Sequence, residues 1–368
     1  MRVAVTMEQC WHRVPGGTAV STIQQAAAVA DVDGVELVGV SARHRDEPPA
    51  PWRPPIPVRQ LPLPRLALYE SWHWLRRPSV GSATGPVDAI HATGFAIPPR
   101  GPGLLVTMHD LAVLHDTSHF TRRGVSFLRR SIELARRHAD LVLCPSQATV
   151  DDCVAHGFSP ERLRLIPWGV EQRRAGSDEV ASVVERHRLP ERYVLSVATQ
   201  EPRKNLARLL AAFGTLADRG HDDVVLVLVG PEGWGPDLGA QIDALGPRCR
   251  KLGFVPGDDL PALYAGASAF CYPSILEGFG LPVLEAMVQA TPVVTSSGTS
   301  TEELVVDGAG VAVDPLDVGA IADALVELLD DPGRAAAVGA AGRERAAGYT
   351  WDRTAELTMA AYREVSGR

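Results

Sequence analysis

The chain has 368 residues, of which 45% are apolar and 22% are charged, and its formal net charge is -8. At about 100 to 200 residues per domain, this length predicts two domains with a core each, and the composition excludes a disordered or fibrous protein. The negative balance excludes a general attraction to phosphate backbones, so we expect no nucleic-acid partner and only local recognition of phosphate.

The cysteines and the start of the chain indicate a cytoplasmic protein. Five cysteines, without a CxxC pair, fit neither a disulfide framework nor a zinc site, so we expect reduced thiols. The chain passes from Met1 directly into a short strand-like stretch, and no apolar run approaches 18 residues. We therefore expect neither an export signal nor a membrane span.

Short β-branched runs alternate with longer helical patterns, which is typical of parallel sheets covered by helices on both faces. In the first half, strands are predicted at residues 3–6, 35–40, 89–91, 104–108 and 141–144. In the second half, they are predicted at residues 193–197, 224–229, 269–272, 293–295 and 310–313. The predicted fold class is α/β, with two doubly wound Rossmann-like domains in tandem.

The domain boundary is expected near Trp168-Gly-Val170, because Ile166-Pro-Trp-Gly169 ends one strand and a polar stretch follows. The first domain is predicted to span residues 1–170 and the second residues 171–351, and a last amphipathic helix begins at Trp351. The proline-rich residues 48–64 are incompatible with a central strand or a helix, so we expect an extended surface excursion there.

Two segments of the first half follow predicted strands. Val14-Pro-Gly-Gly-Thr18 leads to a helix expected near Ala19, and Gly16 and Gly17 would let a ligand approach backbone amides. The sequence has no GxGxxG, and the second strand lacks a following acid, so a dinucleotide site is not indicated.

His109 ends the strand at 104–108, and its chemistry alone fits a buried structural residue and a cleft residue equally.

In the second half, Glu-Pro-Arg203-Lys204-Asn205 follows the first predicted strand. The carboxyl ends of strands are where α/β sheets bind ligands, so Arg203 and Lys204 could neutralise a diphosphate. The alternative is a solvated Arg-Lys turn, with Asn205 as the N-cap of the next helix.

The segment Glu277-Gly-Phe-Gly-Leu-Pro-Val-Leu-Glu285 predicts a strand, a glycine loop and a helix start. The amides of residues 279 to 281, aided by the helix dipole, would attract phosphate. Glu277 and Glu285 could accept hydrogen bonds from vicinal sugar hydroxyls, or else be a solvated residue and a residue stabilised by the helix dipole.

These motifs together resemble the retaining GT-B glycosyltransferases, the large group 1 family that contains bacterial mannosyltransferases. The resemblance covers nearly the whole chain and rests on the Glu, seven residues, Glu spacing of Glu277 and Glu285. It implies two domains that face a central cleft. It also implies that Glu277 contacts the donor sugar and that Glu285 binds the nucleotide ribose.

The resemblance extends to other segments. Glu-Pro-Arg203-Lys204-Asn resembles the diphosphate-binding motif, although Ala198-Thr199 stands where many relatives have Gly-Arg. It implies that His109 approaches the donor sugar and that the Gly16-Gly17 loop lies against donor or acceptor. Phe254 resembles a nucleobase contact, with a core phenylalanine as the alternative. We expect the ligand-binding residues of the glycine loop to be Gly278, Phe279, Gly280 and Leu281.

The predicted activity is therefore transfer of a hexose, with retention, from a nucleotide diphosphate sugar to an acceptor hydroxyl. GDP-mannose is the first expected donor and UDP-glucose the second, and no cofactor or metal is required. The acceptor could be a sugar, a lipid-linked compound or a small molecule, in the synthesis of a glycan, glycolipid or glycosylated metabolite. The alternatives are a catalytically impaired nucleotide-sugar-binding protein and an NAD-dependent oxidoreductase.

Two further patterns have competing interpretations. His115, Asp116 and His119 could suggest a metal cluster, but loop polarity explains them equally well. The basic segments at residues 72–77 and 122–137 could contact an anionic membrane at the inner face, or be core helices with solvated basic faces.

Overall fold

The computed structural model describes residues 1–12 and 15–367, so Val14 of the predicted glycine loop lies outside the described residues. The chain divides into two compact units. Unit 1 comprises Met1–Gly169 and Thr350–Arg368, and unit 2 comprises Val170–Tyr349.

Unit 1 is built on a parallel sheet that has seven strands within the described ranges. The strands are β1 (Arg2–Thr6), β2 (Glu36–Ser41), β3 (Val58–Gln60), β4 (Ala89–Ala92), β5 (Leu104–Thr107), β6 (Leu141–Cys144) and β7 (Leu163–Leu165). The helices are α1 (Gly16–Ala30), α2 (Arg65–Glu70), α3 (Gly81–Thr84), α4 (Ala112–His115), α5 (Arg122–His138) and α6 (Gln147–Ala155). A π-helical turn (Ser71–Leu75) continues α2, and 3-10 turns occur at Glu8–Trp11, Thr117–His119 and Pro160–Arg162.

The strand order of unit 1 is β3-β2-β1-β4-β5-β6-β7, so the chain changes direction across the sheet between β1 and β4. Val5 of β1 accordingly lies beside Gly39 of β2 on one side and His91 of β4 on the other. In such sheets, ligands bind at the carboxyl ends of the strands next to this switch point.

A C-terminal helix (Trp351–Ser366) belongs to unit 1 although it follows unit 2 in the chain. The hydroxyl of Tyr362 lies 2.8 Å from Nδ1 of the buried His91, and Gln25 of α1 donates a hydrogen bond of 2.9 Å to Thr358. Its apolar face closes one side of the sheet of unit 1.

Unit 2 contains a second parallel sheet of six strands in the order β10-β9-β8-β11-β12-β13, counted over the residues described. The strands are β8 (Tyr193–Val197), β9 (Val225–Val229), β10 (Cys249–Gly253), β11 (Ala269–Tyr272), β12 (Val293–Ser296) and β13 (Val311–Val313). The helices are α7 (Ser177–Arg186), α8 (Leu206–Gly214), α9 (Gly239–Leu245), α10 (Leu260–Ala265), α11 (Leu281–Val288), α12 (Val318–Asp330) and α13 (Pro332–Ala346). The 3-10 turns are Pro202–Lys204, Ala217–Arg219, Gly246–Arg248, Gly257–Asp259 and Glu302–Leu304. Here the switch point lies between β8 and β11.

The predicted α/β class is confirmed, and each predicted strand is present with its ends displaced by at most one residue. Two strands, β3 and β10, were not predicted, whereas β7 agrees with the strand expected to end at Ile166. Both unpredicted strands lie at sheet edges, where half-exposed strands lack the continuous apolar run of a central strand. Because β3 lies inside the proline-rich segment, its edge position agrees with the exclusion of a central strand there. Among the described helices, none is both long and apolar enough to cross a bilayer.

Candidate active site

The switch point of unit 2 holds a cluster of charged side chains around Glu277. Arg203 and Lys204 lie in the 3-10 turn after β8, and Glu277 lies in the loop after β11. Lys204 Nζ is 2.6 Å from Glu277 Oε1, and Arg203 Nη1 is 3.1 Å from Glu277 Oε2. Each carboxylate oxygen therefore has its own cation, and the alternative of a solvated Glu277 is wrong.

Because these charged side chains are buried, the pKa of each depends on its charged neighbours. The side chains of Glu277 and Lys204 are only 8% and 9% exposed. Burial alone would raise the pKa of Glu277, but Lys204 and Arg203 outweigh it and lower that pKa to about 2. Burial, followed by the nearby Arg203, lowers the pKa of Lys204, whose Nζ also donates to the Tyr272 hydroxyl at 2.5 Å. The carboxylate is therefore ionised at neutral pH.

Asn205 fastens the two loops that carry this cluster. Its backbone is left-handed, with φ of 58°, and its side-chain amide donates to the carbonyls of Pro273 (2.9 Å) and Pro315 (2.6 Å). The amide of Ile275 donates to the carbonyl of Arg203 at 2.8 Å. Asn205 is the N-cap residue of α8, but its side chain makes no capping hydrogen bond, because Oδ1, the atom that would accept one, accepts from Arg208 Nη1 at 2.9 Å.

The glycine loop before α11 has the backbone geometry of an anion site. Gly280 has a φ of 113°, and a Cβ on it would lie 2.7 Å from Thr301 Cγ2, so only glycine fits. The N–H groups of Gly280 and Leu281 have no hydrogen-bond partner among the described residues. Phe279 is 3% exposed and packs near Tyr349, so only its backbone is placed to meet a ligand.

Glu285 lies in α11 and is held by a different partner. The hydroxyl of Tyr264 donates to Glu285 Oε2 at 2.8 Å, and burial raises the pKa of Glu285. Its Oε1 has no hydrogen-bond partner in the part of the chain that the structure describes. One oxygen is thus anchored, and the other is left to accept hydrogen bonds.

Phe254 follows the edge strand β10 and is 66% exposed. The alternative of a core phenylalanine is therefore wrong. An exposed ring beside the carboxyl end of β10 is available for stacking against a flat ligand.

In unit 1, His109 lies at the carboxyl end of β5 and is 5% exposed. Its Nε2 is 2.7 Å from the carbonyl oxygen of Thr93, which only accepts, so Nε2 carries the proton and Nδ1 is an acceptor. Burial lowers the pKa of His109, which favours this neutral form. His109 is therefore both buried and hydrogen-bonded while it lines a cavity at the strand ends.

The predicted glycine loop of unit 1 is instead the start of a helix. We expected the helix near Ala19, but α1 begins at Gly16. Pro15 already has a helical conformation, and Gly16, with φ of 61°, permits the turn from Pro15 into the helix. A Cβ on Gly16 or Gly17 would have none of the described residues outside its chain neighbours within 4 Å, so these residues leave the backbone open on that side.

The predicted histidine group is divided between two places. His119 pairs with Asp116 at 3.4 Å, whereas His115 lies 2.8 Å from Asp152. His156 lies 3.0 Å from the same carboxylate, so Asp152 links two imidazoles on α4 and at the end of α6. The sequence did not indicate this group, because Asp152 lies 37 residues after His115.

Several residues were not predicted: Tyr264 and Tyr272, which contact Glu285 and Lys204 in unit 2, and Gln9 and Glu8, which line the same cavity of unit 1 as His109. Tyr272 ends β11, and Gln9 and Glu8 follow β1, so proximity to a switch point was the available signal. Tyr264 has no such signal, since its contact with Glu285 depends on how α10 packs beside α11.

Two family models together match most of the chain. The Glycosyltransferase Family 4 model matches residues 15–174, and the Glycosyl transferases group 1 model matches residues 178–345. The O-antigen chain mannosyltransferase B of Escherichia coli is 32% identical over 74% of this chain and 73% of its own length. This chain belongs to the group 1 glycosyltransferases.

Other similarities extend over nearly the full length of this glycosyltransferase. A D-inositol 3-phosphate glycosyltransferase of Salinispora arenicola is 30% identical over 95% of this chain and 87% of its own length. HepE of Anabaena, solved in complex with UDP-glucose, superposes with a TM-score of 0.74 at 20% identity, covering 98% of this chain and all of HepE. The fold is GT-B, and the enzyme is a retaining glycosyltransferase that uses a nucleotide sugar.

The charged cluster predicts a pH-dependent stability. The folded-state pKa of Glu277 is about 2 against an ordinary value of 4.5, so its ionised form stabilises the fold above pH 4.5, and this contribution is lost as the pH falls from there towards 2. We expect Glu277→Gln to lower the free energy of unfolding by about 3 to 5 kcal/mol at neutral pH. Urea unfolding at a series of pH values should show this difference shrinking below pH 4.5.

The matched control is Glu327→Gln on α12, whose side chain is 46% exposed. It should change the free energy of unfolding by less than about 1 kcal/mol. A Glu277→Gln effect that stays constant through the acid range would contradict the assignment of a pH-dependent ion pair.

Proposed function

We propose that this enzyme transfers mannose from GDP-mannose to an acceptor hydroxyl, with UDP-glucose as the second candidate donor. The observation that carries the proposal is the arrangement of Arg203, Lys204 and Glu277 at the switch point of unit 2. It combines cations for a diphosphate with a carboxylate for sugar hydroxyls. The choice of mannose is supported by the mannosyltransferase of Escherichia coli among the relatives.

In this proposal, unit 2 (predicted as residues 171–351) binds the donor. Arg203, Lys204 and the open N–H groups of Gly280 and Leu281 hold the diphosphate, and the backbone of Gly278 and Phe279 shapes the loop around it. A donor diphosphate can take over the cations that now contact Glu277, which leaves that carboxylate to accept from sugar hydroxyls.

Glu285 and Phe254 complete the nucleotide site of the proposal. The anchored carboxylate of Glu285 offers Oε1 to the ribose hydroxyls, while Tyr264 fixes its orientation. The exposed ring of Phe254 stacks on the nucleobase. Both assignments agree with the roles that the family resemblance implies.

The chemistry that the cluster supports is stabilisation of the leaving diphosphate. When the diphosphate replaces Glu277, Arg203 can keep its hydrogen bond to Glu201 and Lys204 its hydrogen bond to Tyr272. These contacts orient both cations before negative charge develops, and such preorganised charge is often the largest catalytic effect. The departing phosphate itself then receives the acceptor proton on the same face of the sugar, as usually proposed for such relatives. We propose that no metal takes part.

Unit 1 (predicted as residues 1–170 with the helix at 352–368) is the acceptor side in this proposal. His109 lies at the end of β5 with a free acceptor nitrogen, and it is placed to meet a sugar hydroxyl. The open backbone at Gly16 and Gly17 gives a ligand access to the start of α1.

One observation favours a second candidate, a protein that binds a nucleotide sugar without transferring it. Ala198 and Thr199 stand where many relatives have Gly-Arg, so one phosphate contact of those relatives is missing at this position. The third candidate of the sequence, an NAD-dependent oxidoreductase, is disfavoured because both matching family models describe glycosyltransferases.

The first experiment separates these candidates. Wild-type protein is incubated with a panel of nucleotide sugars and an acceptor mixture, and nucleotide diphosphate release is measured with and without EDTA. We expect turnover with GDP-mannose that EDTA leaves unchanged. Donor binding without release would support the second candidate, and oxidation of NADH would support the third.

The second experiment tests the ribose contact. Glu285→Gln should weaken donor binding by about 1 to 3 kcal/mol, because a neutral amide loses charge-assisted hydrogen bonds. Isothermal titration calorimetry with GDP-mannose measures this change, with Glu327→Gln on α12 as the control. Equal affinity of wild type and Glu285→Gln would contradict the ribose assignment.

We also propose that unit 1 contacts an anionic membrane at the inner face of the cell. Trp74 and Leu75 in the π-helical turn are 64% and 71% exposed, which is unusual for large apolar side chains. The guanidinium of Arg130 on α5 lies 5.0 Å from the centre of the Trp74 ring. An exposed indole beside a basic helix suits the interface of an anionic bilayer.

The third experiment measures this contact by vesicle sedimentation. Wild-type protein should bind vesicles that contain phosphatidylglycerol, and binding should weaken at high salt and with phosphatidylcholine alone. Substituting both Trp74→Ala and Leu75→Ala should reduce binding several-fold. The control is Trp234→Ala in unit 2, where the tryptophan is also exposed. If the variant with both Trp74→Ala and Leu75→Ala binds vesicles as well as the wild type, the proposed membrane contact is wrong.

A further inference from the structure

We infer that the acceptor is the end of an uncharged oligosaccharide with at least two sugar units, bound in two adjoining cavities of unit 1. The inference rests on the proposed transfer reaction and names the acceptor class for it. It comes from the polar atoms, the charges and the shape of the two cavities.

The inner cavity lies at the switch point of the unit 1 sheet and has a volume of about 140 Å³. Thr6 ends β1, Ser41 ends β2 and His109 follows β5, so the cavity is at the carboxyl ends of three strands. This volume is well below the roughly 300 to 1,000 Å³ of pockets that enclose drug-sized ligands, and it suits one sugar unit.

Two buried polar atoms of residues that line this cavity lack partners. Gln9 is 5% exposed, and its Nε2 donates to Thr93 Oγ1 at 3.0 Å, whereas its Oε1 has no partner among the described residues. Nδ1 of His109 is likewise unpaired and, as argued above, is an acceptor. Both atoms are acceptors, so a ligand that contacts them must donate hydrogen bonds, as hydroxyl groups do.

The charges around the inner cavity disfavour an anionic ligand. Its lining residues include neither arginine nor lysine among those described, but they include Glu8, which is 5% exposed. Burial, with smaller effects of Arg65 and His44, lowers the pKa of His12 to about 4, so His12 is neutral at physiological pH. Arg65 itself donates to the carbonyl of Trp11 and does not line the cavity. A phosphate here would meet a carboxylate without a compensating cation.

This charge pattern separates the chain from one group of its relatives. The Salinispora relative is named for D-inositol 3-phosphate, an anionic compound. Among its described lining residues, the inner cavity has neither an arginine nor a lysine for such a phosphate. Its remaining walls are apolar, with Leu68, Trp72, Phe127 and Leu128, and such surfaces pack against the C–H face of a sugar ring.

A second cavity of about 280 Å³ adjoins the first, because His12 lines both. Its walls include Trp11, whose ring stacks on His44 at 4.7 Å, and Trp52 from the proline-rich segment. Aromatic walls suit a further sugar, and among the described lining residues the exposed acids Asp46 and Glu47 outnumber the single exposed cation, Arg45. The proline-rich excursion thereby gains a role as the outer wall of an acceptor groove.

The experiment compares acceptors with the donor that the panel identifies. The acceptors are mannose, a dimannoside, mannose 6-phosphate and D-inositol 3-phosphate, and donor binding is measured on the same samples. We expect kcat/KM to be at least tenfold higher for the dimannoside than for mannose, and lower still for both phosphates. Equal use of mannose and dimannoside, or preference for a phosphorylated acceptor, would overturn the inference while leaving the transfer reaction intact. Loss of donor binding itself would instead count against the proposed function.

Two variants test the cavities separately. Trp52→Ala should raise KM for the dimannoside several-fold and leave mannose unaffected, with Trp234→Ala in unit 2 as the matched control. Glu8→Gln should narrow the ratio of kcat/KM between mannose and mannose 6-phosphate, because it removes the negative charge but keeps the shape. A merely structural role of Glu8 would lower both values and leave their ratio unchanged, which would refute the electrostatic exclusion of phosphate.

Discussion

A buried carboxylate held between two cations is the constraint on which the donor side of this enzyme depends. Removing Glu277 and Lys204 from water is costly, and the cost is offset only while each charge keeps its partner. The loop after β8 and the loop after β11 must therefore stay in register, and Asn205 adds hydrogen bonds that hold them there. The unpaired amides at the start of α11 follow in the same loop, so one interaction organises both the cationic and the dipolar parts of the site.

The central strands of both sheets were predictable because a strand that is buried on both faces has a continuous apolar sequence. The edge strands β3 and β10 were missed because exposure on one side breaks that pattern. The juxtaposition of Arg203, Lys204 and Glu277 also followed from sequence, since parallel strands place their carboxyl ends at one edge. That Lys204 would be almost fully buried against Tyr272 did not follow, because it depends on packing between residues 68 positions apart.

In unit 1, by contrast, less of the candidate site could be predicted from the sequence. Its candidate residues rested mainly on resemblance, and the start of α1 was misplaced because paired glycines resemble a loop. Two buried acceptor atoms of this unit, Gln9 Oε1 and His109 Nδ1, have no hydrogen-bond partner among the described residues. In addition, the described residues that line the inner cavity include neither arginine nor lysine. Such properties depend on which side chains converge on one point, and a sequence pattern with a period of two or 3.6 carries no information about that.

The C-terminal helix has a consequence for biogenesis. Its Tyr362 and Thr358 contact residues of the first 91 positions, so the chain must return to its beginning after the whole of unit 2. During translation, all residues of unit 2 are synthesised before unit 1 is complete. One apolar face of the unit 1 sheet, which α1 covers only in part, stays incompletely covered until the helix Trp351–Ser366 has been synthesised. We therefore expect a chaperone to bind the nascent amino-terminal half of this enzyme.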